Sequence, residues 1–92
     1  MAMMTYTVVV RLHPGGEYSV TVPALNNCGT FGQSLPEALQ MAEEAIESYL
    51  EGLEYVDRPF PPDVPNVTVD LEDAIEAMVY RVAVRKEERA VA

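Results

Sequence analysis

Two side chains here are of the types that nucleophilic catalysis uses: the single histidine, His13, and the single cysteine, Cys28. An imidazole in contact with a thiol favours the thiolate, and the pair can then act as nucleophile and base. No third residue stands out to orient such an imidazole. A turn histidine and a small half-buried thiol account for both residues more simply. One cysteine makes no intrachain disulfide and supplies one of the four ligands a structural zinc site needs. Asp70, Glu72 and Asp73 form an acidic cluster of the kind that holds a hard cation weakly, although helix capping and solvation explain it as well. A two-metal nuclease needs several carboxylates converging from a sheet, yet Glu17 is the only acid before residue 37. Neither G-x-G-x-x-G nor G-x-x-x-x-G-K-S/T occurs. The reading is a protein with no catalytic residue, no metal ligand and no cofactor.

The elements that position these residues follow from hydrophobic period. In 5–12, Tyr6, Val8, Val10 and Leu12 share one face of a strand, and Thr5, Thr7, Val9 and Arg11 the other. Pro14-Gly15-Gly16 turns the chain, and 18–22 alternates Tyr18, Val20 and Val22 with Ser19 and Thr21, which predicts a hairpin. Asn26-Asn27 reads as a turn and Cys28–Gly32 as a third strand. Ser34 with Glu37 three residues on has capping-box spacing, and Pro36 suits a first helical turn. Apolar residues from Leu35 through Ala38, Ala42, Ile46 and Leu50 to Leu53 predict a helix over 35–53, roughly 28 Å long. Residues 54–66 hold four of the seven prolines and read as a stiff connector, with Tyr55 and Phe60 at the core edge. Asp70 and Asp73 suggest a short helix over 71–78, and 79–86 a last strand. The tail, EERAVA, is expected to fray.

The order is β-β-β-α-(α)-β. One apolar face per strand and one apolar stripe on the helix predict a small α+β two-layer sandwich, with a single domain over 1–92.

Charge is distributed unevenly. The chain has 92 residues and a net charge of −9. Residues 1–36 balance Arg11 against Glu17. Residues 37–76 set twelve acids against Arg58 alone, giving −11, and 77–92 sum to +2. Such a centre repels a phosphate backbone, so nucleic acid is a poor direct ligand and a basic protein a better one, while solubility alone accounts for these acids more simply. The basic residues Arg81, Arg85, Lys86 and Arg89 are the one place a nucleic-acid contact would fall. No apolar stretch approaches the ~20 residues of a membrane span, and the start lacks a secretory leader's basic and apolar regions. A cytoplasmic location is expected.

The ordered motifs are similar to those of the HicB-like antitoxins. Val22, Pro23 and Leu25 match the end of the family's hairpin. Cys28, Thr30 and Gly32 match its middle segment. Ser34, Leu35, Glu37, Ala38 and Leu39 match its helix start, and Glu44, Ala45 and Ile46 its later turn. The resemblance covers about residues 5–53 well and the last strand loosely. Asn26-Asn27 replaces a frequent Pro-Gly, and Gln33 a frequent Asp. Many members continue into a helix-turn-helix or ribbon-helix-helix segment; none follows the last strand here, so operator binding is not expected of this chain.

The resemblance implies a partly degraded ribonuclease H-like fold without its catalytic acids. It also implies a partner, a small basic HicA-type toxin that cleaves RNA with a histidine and is neutralised by occlusion of its RNA site. The acidic helix face (Glu43, Glu44, Glu47 and Glu51) is one candidate contact surface, and the N-terminal sheet with its edge is the other. Exposed edge strands, the last strand among them, point to a homodimer or homotetramer. The rival reading is an orphan module of the same fold that binds another protein or a small ligand.

Overall fold

Tyr6, Val8 and Val10 are all buried and lie on one side of a long first strand, and the same alternation recurs in the strands beside it. In the computed structural model, which describes residues 2–86, the elements are β1 (Ala2–Leu12), β2 (Tyr18–Val22), a 3-10 turn (Pro23–Leu25), β3 (Cys28–Gly32), α1 (Leu35–Tyr55) and β4 (Glu76–Lys86). The four strands form one antiparallel sheet in the order β3-β2-β1-β4. α1 covers one face. Ala38, Ala42, Ile46 and Leu50, each fully buried, meet Tyr6, Val8, Val10, Val20, Val22, Leu25, Val82 and Val84. The predicted α+β two-layer sandwich is thus the observed fold.

The turn into β3 uses Asn26 and Asn27 at φ 57° and 56°, a left-handed conformation that asparagine tolerates better than most residues. Gly32 serves close approach instead. A Cβ there would collide with the Ala38 main chain, lying 2.6 Å from its Cα, so a larger residue would force α1 off the end of β3.

Three expectations need correction. The bracketed second helix over 71–78 does not form. The Ala74 N–H closes a tight turn onto the Leu71 carbonyl at 2.8 Å, with Glu72 at φ 55°. β4 then starts at Glu76, because β1 offers eleven residues to pair with, from Ala2 opposite Lys86 to Leu12 opposite Glu76. Tyr55 is not held at the core edge. α1 runs on to include it, and its ring is 88% exposed, whereas Phe60 does pack against the core. The frayed tail and Arg89 lie outside the described residues.

The proline-rich connector does not stay on the helix side. β1 pairs with β2 only over Val9–Leu12, which leaves its earlier residues without a neighbour on that side. The connector enters there. The Tyr6 hydroxyl donates to the Pro61 carbonyl at 2.7 Å. The Asp63 carboxylate then accepts both the Thr7 N–H (2.7 Å) and the Thr7 hydroxyl (2.8 Å). Further on, the Arg11 side chain donates to the Asp70 carbonyl at 2.8 Å on the far face of the sheet. A strap thus wraps from one layer to the other and covers Val9, a far-face residue that is 4% exposed. Between strap and sheet it leaves a cleft of about 500 Å³, lined by Arg11, Thr21, Val64 and Asn66 among others.

Candidate partner-binding surface

α1 is the rigid element that carries the expected contact residues. Its start is held by Ser34, whose hydroxyl accepts the Glu37 N–H at 3.2 Å, while the Glu37 carboxylate accepts the Gln33 N–H at 3.3 Å. This reciprocal pair is a variant of the capping box, with the glutamate bonding one residue earlier than usual. Burial of Ala38, Ala42, Ile46 and Leu50 at steps of four fixes the helix's rotation.

With the rotation fixed, Glu43, Glu44, Glu47 and Glu51 fall within an arc of about 100° on the side away from the core. Glu43, Glu44 and Glu51 are exposed and Glu47 is half-buried. Among the described residues no basic side chain pairs with any of the four; Arg11 pairs instead with Glu72 at 3.8 Å. Glu43, Glu47 and Glu51 stand four apart, and like charges at that spacing destabilise a helix by roughly 0.2–0.5 kcal/mol per pair. Glu51 also lies toward the helix C-terminus, where the dipole favours cations, and the last turn has no basic residue. This face costs the isolated fold a little stability and leaves negative charge open to a partner. Tyr55 continues the same side of the helix one turn beyond Glu51. Sequence reasoning missed it as a surface residue; the signal was helical phase, which places it between Glu44 and Ser48 once the helix extends past 53.

The candidate nucleophile does not assemble. Cys28 pairs with Val22, whereas His13 follows Leu12, which pairs with Tyr18, four residues away along β2. Four residues of strand is about 14 Å. His13 instead contacts the Ser19 hydroxyl, Nε2 to Oγ 2.7 Å. Its Nδ1 lies 3.9 Å from an Asp73 carboxylate that is 90% exposed. That distance exceeds a hydrogen bond, so Asp73 does not hold the imidazole as a catalytic triad requires. The contacts clasp the hairpin end. Within the acidic cluster, Asp70 and Glu72 serve Arg11, the first through its carbonyl.

One titrating group is shifted. The Tyr6 phenol is held above its ordinary pKa of 10.0, chiefly by burial and secondarily by the nearby negative charge of Asp63.

A four-stranded antiparallel sheet under one helix defines a small α+β domain. The chain belongs to the HicB-like antitoxin family of bacterial toxin–antitoxin systems, whose family model matches residues 6–86. Among its relatives, UPF0150 protein Ta0767 of Thermoplasma acidophilum is 42% identical over 60 residues, covering 65% of this chain and 87% of that protein. A UPF0150 protein of Archaeoglobus fulgidus is 42% identical over 48 residues, covering 52% of this chain and 70% of that protein. In fold, the chain is similar to the N-terminal domain of Burkholderia pseudomallei antitoxin HicB, with a TM-score of 0.63 at 22% identity, over 86% of this chain and 95% of that one. An antitoxin-like role follows from the family. No helix among the described residues is long and apolar enough to cross a membrane.

Proposed function

We propose that this protein is a non-enzymatic antitoxin that binds a small basic HicA-type toxin and neutralises it by covering its RNA site. The observation that carries the reading is the face of α1 bearing Glu43, Glu44, Glu47 and Glu51, four carboxylates with no ion-paired basic side chain among the described residues. The lysines and arginines of a small basic RNA-cleaving protein are suited to holding phosphates. A row of carboxylates on a rigid helix competes for those cations and steers the two proteins together. Inhibition is then occlusion, and it needs no catalytic group on the antitoxin. Tyr55, an exposed aromatic at the end of the row, supplies the kind of apolar anchor that interfaces concentrate at their centres.

Titration calorimetry of the full chain against the toxin, at two salt concentrations, tests this. Tight binding that weakens with salt is expected. Binding lost on charge reversal at Glu47 and Glu51 would locate the face; binding indifferent to salt and to these reversals would remove α1 from the interface. A toxin that does not bind at all would favour the orphan module.

A further inference from the structure

We propose that the cleft between the strap and the sheet binds a small organic acid, with its carboxylate on the Arg11 guanidinium and its apolar tail against Val9, Val64 and Val67. The site lies on the sheet face opposite α1 and does not depend on the toxin reading. It starts from the way Arg11 is held. Its Nε donates to the Asp70 carbonyl at 2.8 Å, and its Nη1 donates to the Thr21 hydroxyl at 3.4 Å. The first bond fixes the guanidinium; the second is long for a hydrogen bond. Nη2 has no acceptor among the described residues. No buried side-chain nitrogen or oxygen among them is left unpaired, so that end of the fork is open to the cleft that Arg11 lines. A guanidinium held at Nε with a free outer end is preorganised to grip a carboxylate through two parallel N–H bonds.

The counter-ion now beside Arg11 is a weak one. The Glu72 carboxylate lies 3.8 Å from Nε, beyond hydrogen-bond distance, and its side chain is 67% exposed against 15% for Arg11. A pair with one partner so exposed contributes little, so an incoming carboxylate displaces it at small cost. Glu72 also sits at φ 55°, a left-handed conformation uncommon for glutamate.

The remaining walls define the rest of the ligand. Val9 forms an apolar floor on the sheet, and Val64 and Val67 face it from the strap. Thr21, Asn66 and Thr68 add a few neutral polar groups. At about 500 Å³ the cleft falls in the size range of small-ligand sites, which pair apolar walls with a few polar groups that fix orientation. Such walls suit a molecule with one charged end and one apolar end. Inorganic phosphate would meet the guanidinium and leave the valines uncovered. A net charge of −9 also opposes a dianion more than a monoanion. The acids of α1 lie beyond the sheet, and charges farther away than about 8 Å are largely screened at physiological salt.

Titration of the isotope-labelled full chain with phenylacetate, followed by heteronuclear NMR, tests the proposal. Saturable shifts at Arg11, Thr21, Val64 and Val67 are expected, with Kd about 1 mM or tighter, and none along the outer face of α1. Phenylacetamide, which has the same tail without the charge, is expected to bind at least tenfold more weakly, and so is inorganic phosphate. Glu72→Asn removes the competing carboxylate and suits the left-handed backbone. It is expected to keep the fold and to bind phenylacetate at least threefold more tightly. Arg11→Lys keeps the charge without the fork and is expected to weaken binding at least tenfold. The absence of saturable shifts in the cleft overturns the proposal, and so does an amide that binds as well as the acid. Phosphate binding as tightly as phenylacetate overturns the place given to the tail. Binding unchanged in Glu72→Asn overturns the placing of the carboxylate on Arg11.

Discussion

Replacing Asp63 by alanine should cost this domain about 3 kcal/mol. The carboxylate takes two hydrogen bonds from Thr7, one from the main chain at 2.7 Å and one from the hydroxyl at 2.8 Å, and Thr7 is 1% exposed. It stands where a neighbouring strand would otherwise satisfy β1. Removing it strands two donors, and a buried unsatisfied donor costs roughly 1–3 kcal/mol. Some water will reach the gap, which argues for the lower half of the summed range of about 2–6 kcal/mol. For a domain of this size 1 kcal/mol moves Tm by about 4–8 °C, so a fall of about 12–24 °C is expected. Asp63→Asn retains one acceptor and should lose about half as much. The assay is thermal and urea denaturation followed by circular dichroism, with Thr7→Val to complete a double-mutant cycle. A loss below about 1 kcal/mol for Asp63→Ala, or no coupling to Thr7, would refute the view that this contact anchors the strap.

Other consequences can be checked by the same methods. Gly32→Ala forces a methyl group against the Ala38 main chain and should destabilise by about 1–3 kcal/mol despite the conservative chemistry, whereas alanine at exposed Gly52, where nothing crowds the new methyl group, should not destabilise. Because the Tyr6 phenol is held above 10.0 in the fold, the unfolded chain releases its proton first as pH rises. Stability must then fall from about pH 10 upward through the folded value, while below pH 10 this group adds no pH dependence. Tyr6→Phe should flatten that alkaline fall, and an unchanged slope in denaturant midpoints against pH would contradict it. Combined Glu47→Lys and Glu51→Lys should leave the fold intact and weaken toxin binding at least tenfold, about 1.4 kcal/mol.

The hairpin, the third strand and the start of α1 were legible because their signals are local. Tyr6, Val8 and Val10 alternate at period two, Ser34 and Glu37 mark a helix start, and Ala38, Ala42, Ile46 and Leu50 mark its buried stripe. What failed was local in signal and tertiary in cause. Leu71, Glu72, Asp73 and Ala74 read as helix formers, yet only a turn forms there, and β1 draws the following residues into a strand as early as Glu76. No local pattern announces that Asp63 will take the main-chain donor of Thr7, fifty-six residues away, since a lone acid between prolines reads as loop solvation. The acidic face was legible as a helical period of glutamates. Its lack of ion-paired cations among the described residues needed the structure, because only the fold shows that Arg11 is spent on the strap and that Arg81 and Arg85 lie on the far face of the sheet.

The most direct test of the antitoxin reading is an RNA-cleavage assay with a small basic HicA-type toxin, run with and without the chain at matched concentrations. Cleavage that stops at one antitoxin per toxin, and returns when Glu47 and Glu51 are reversed to lysine, is the expected result. Undiminished cleavage in the presence of excess folded chain would contradict it.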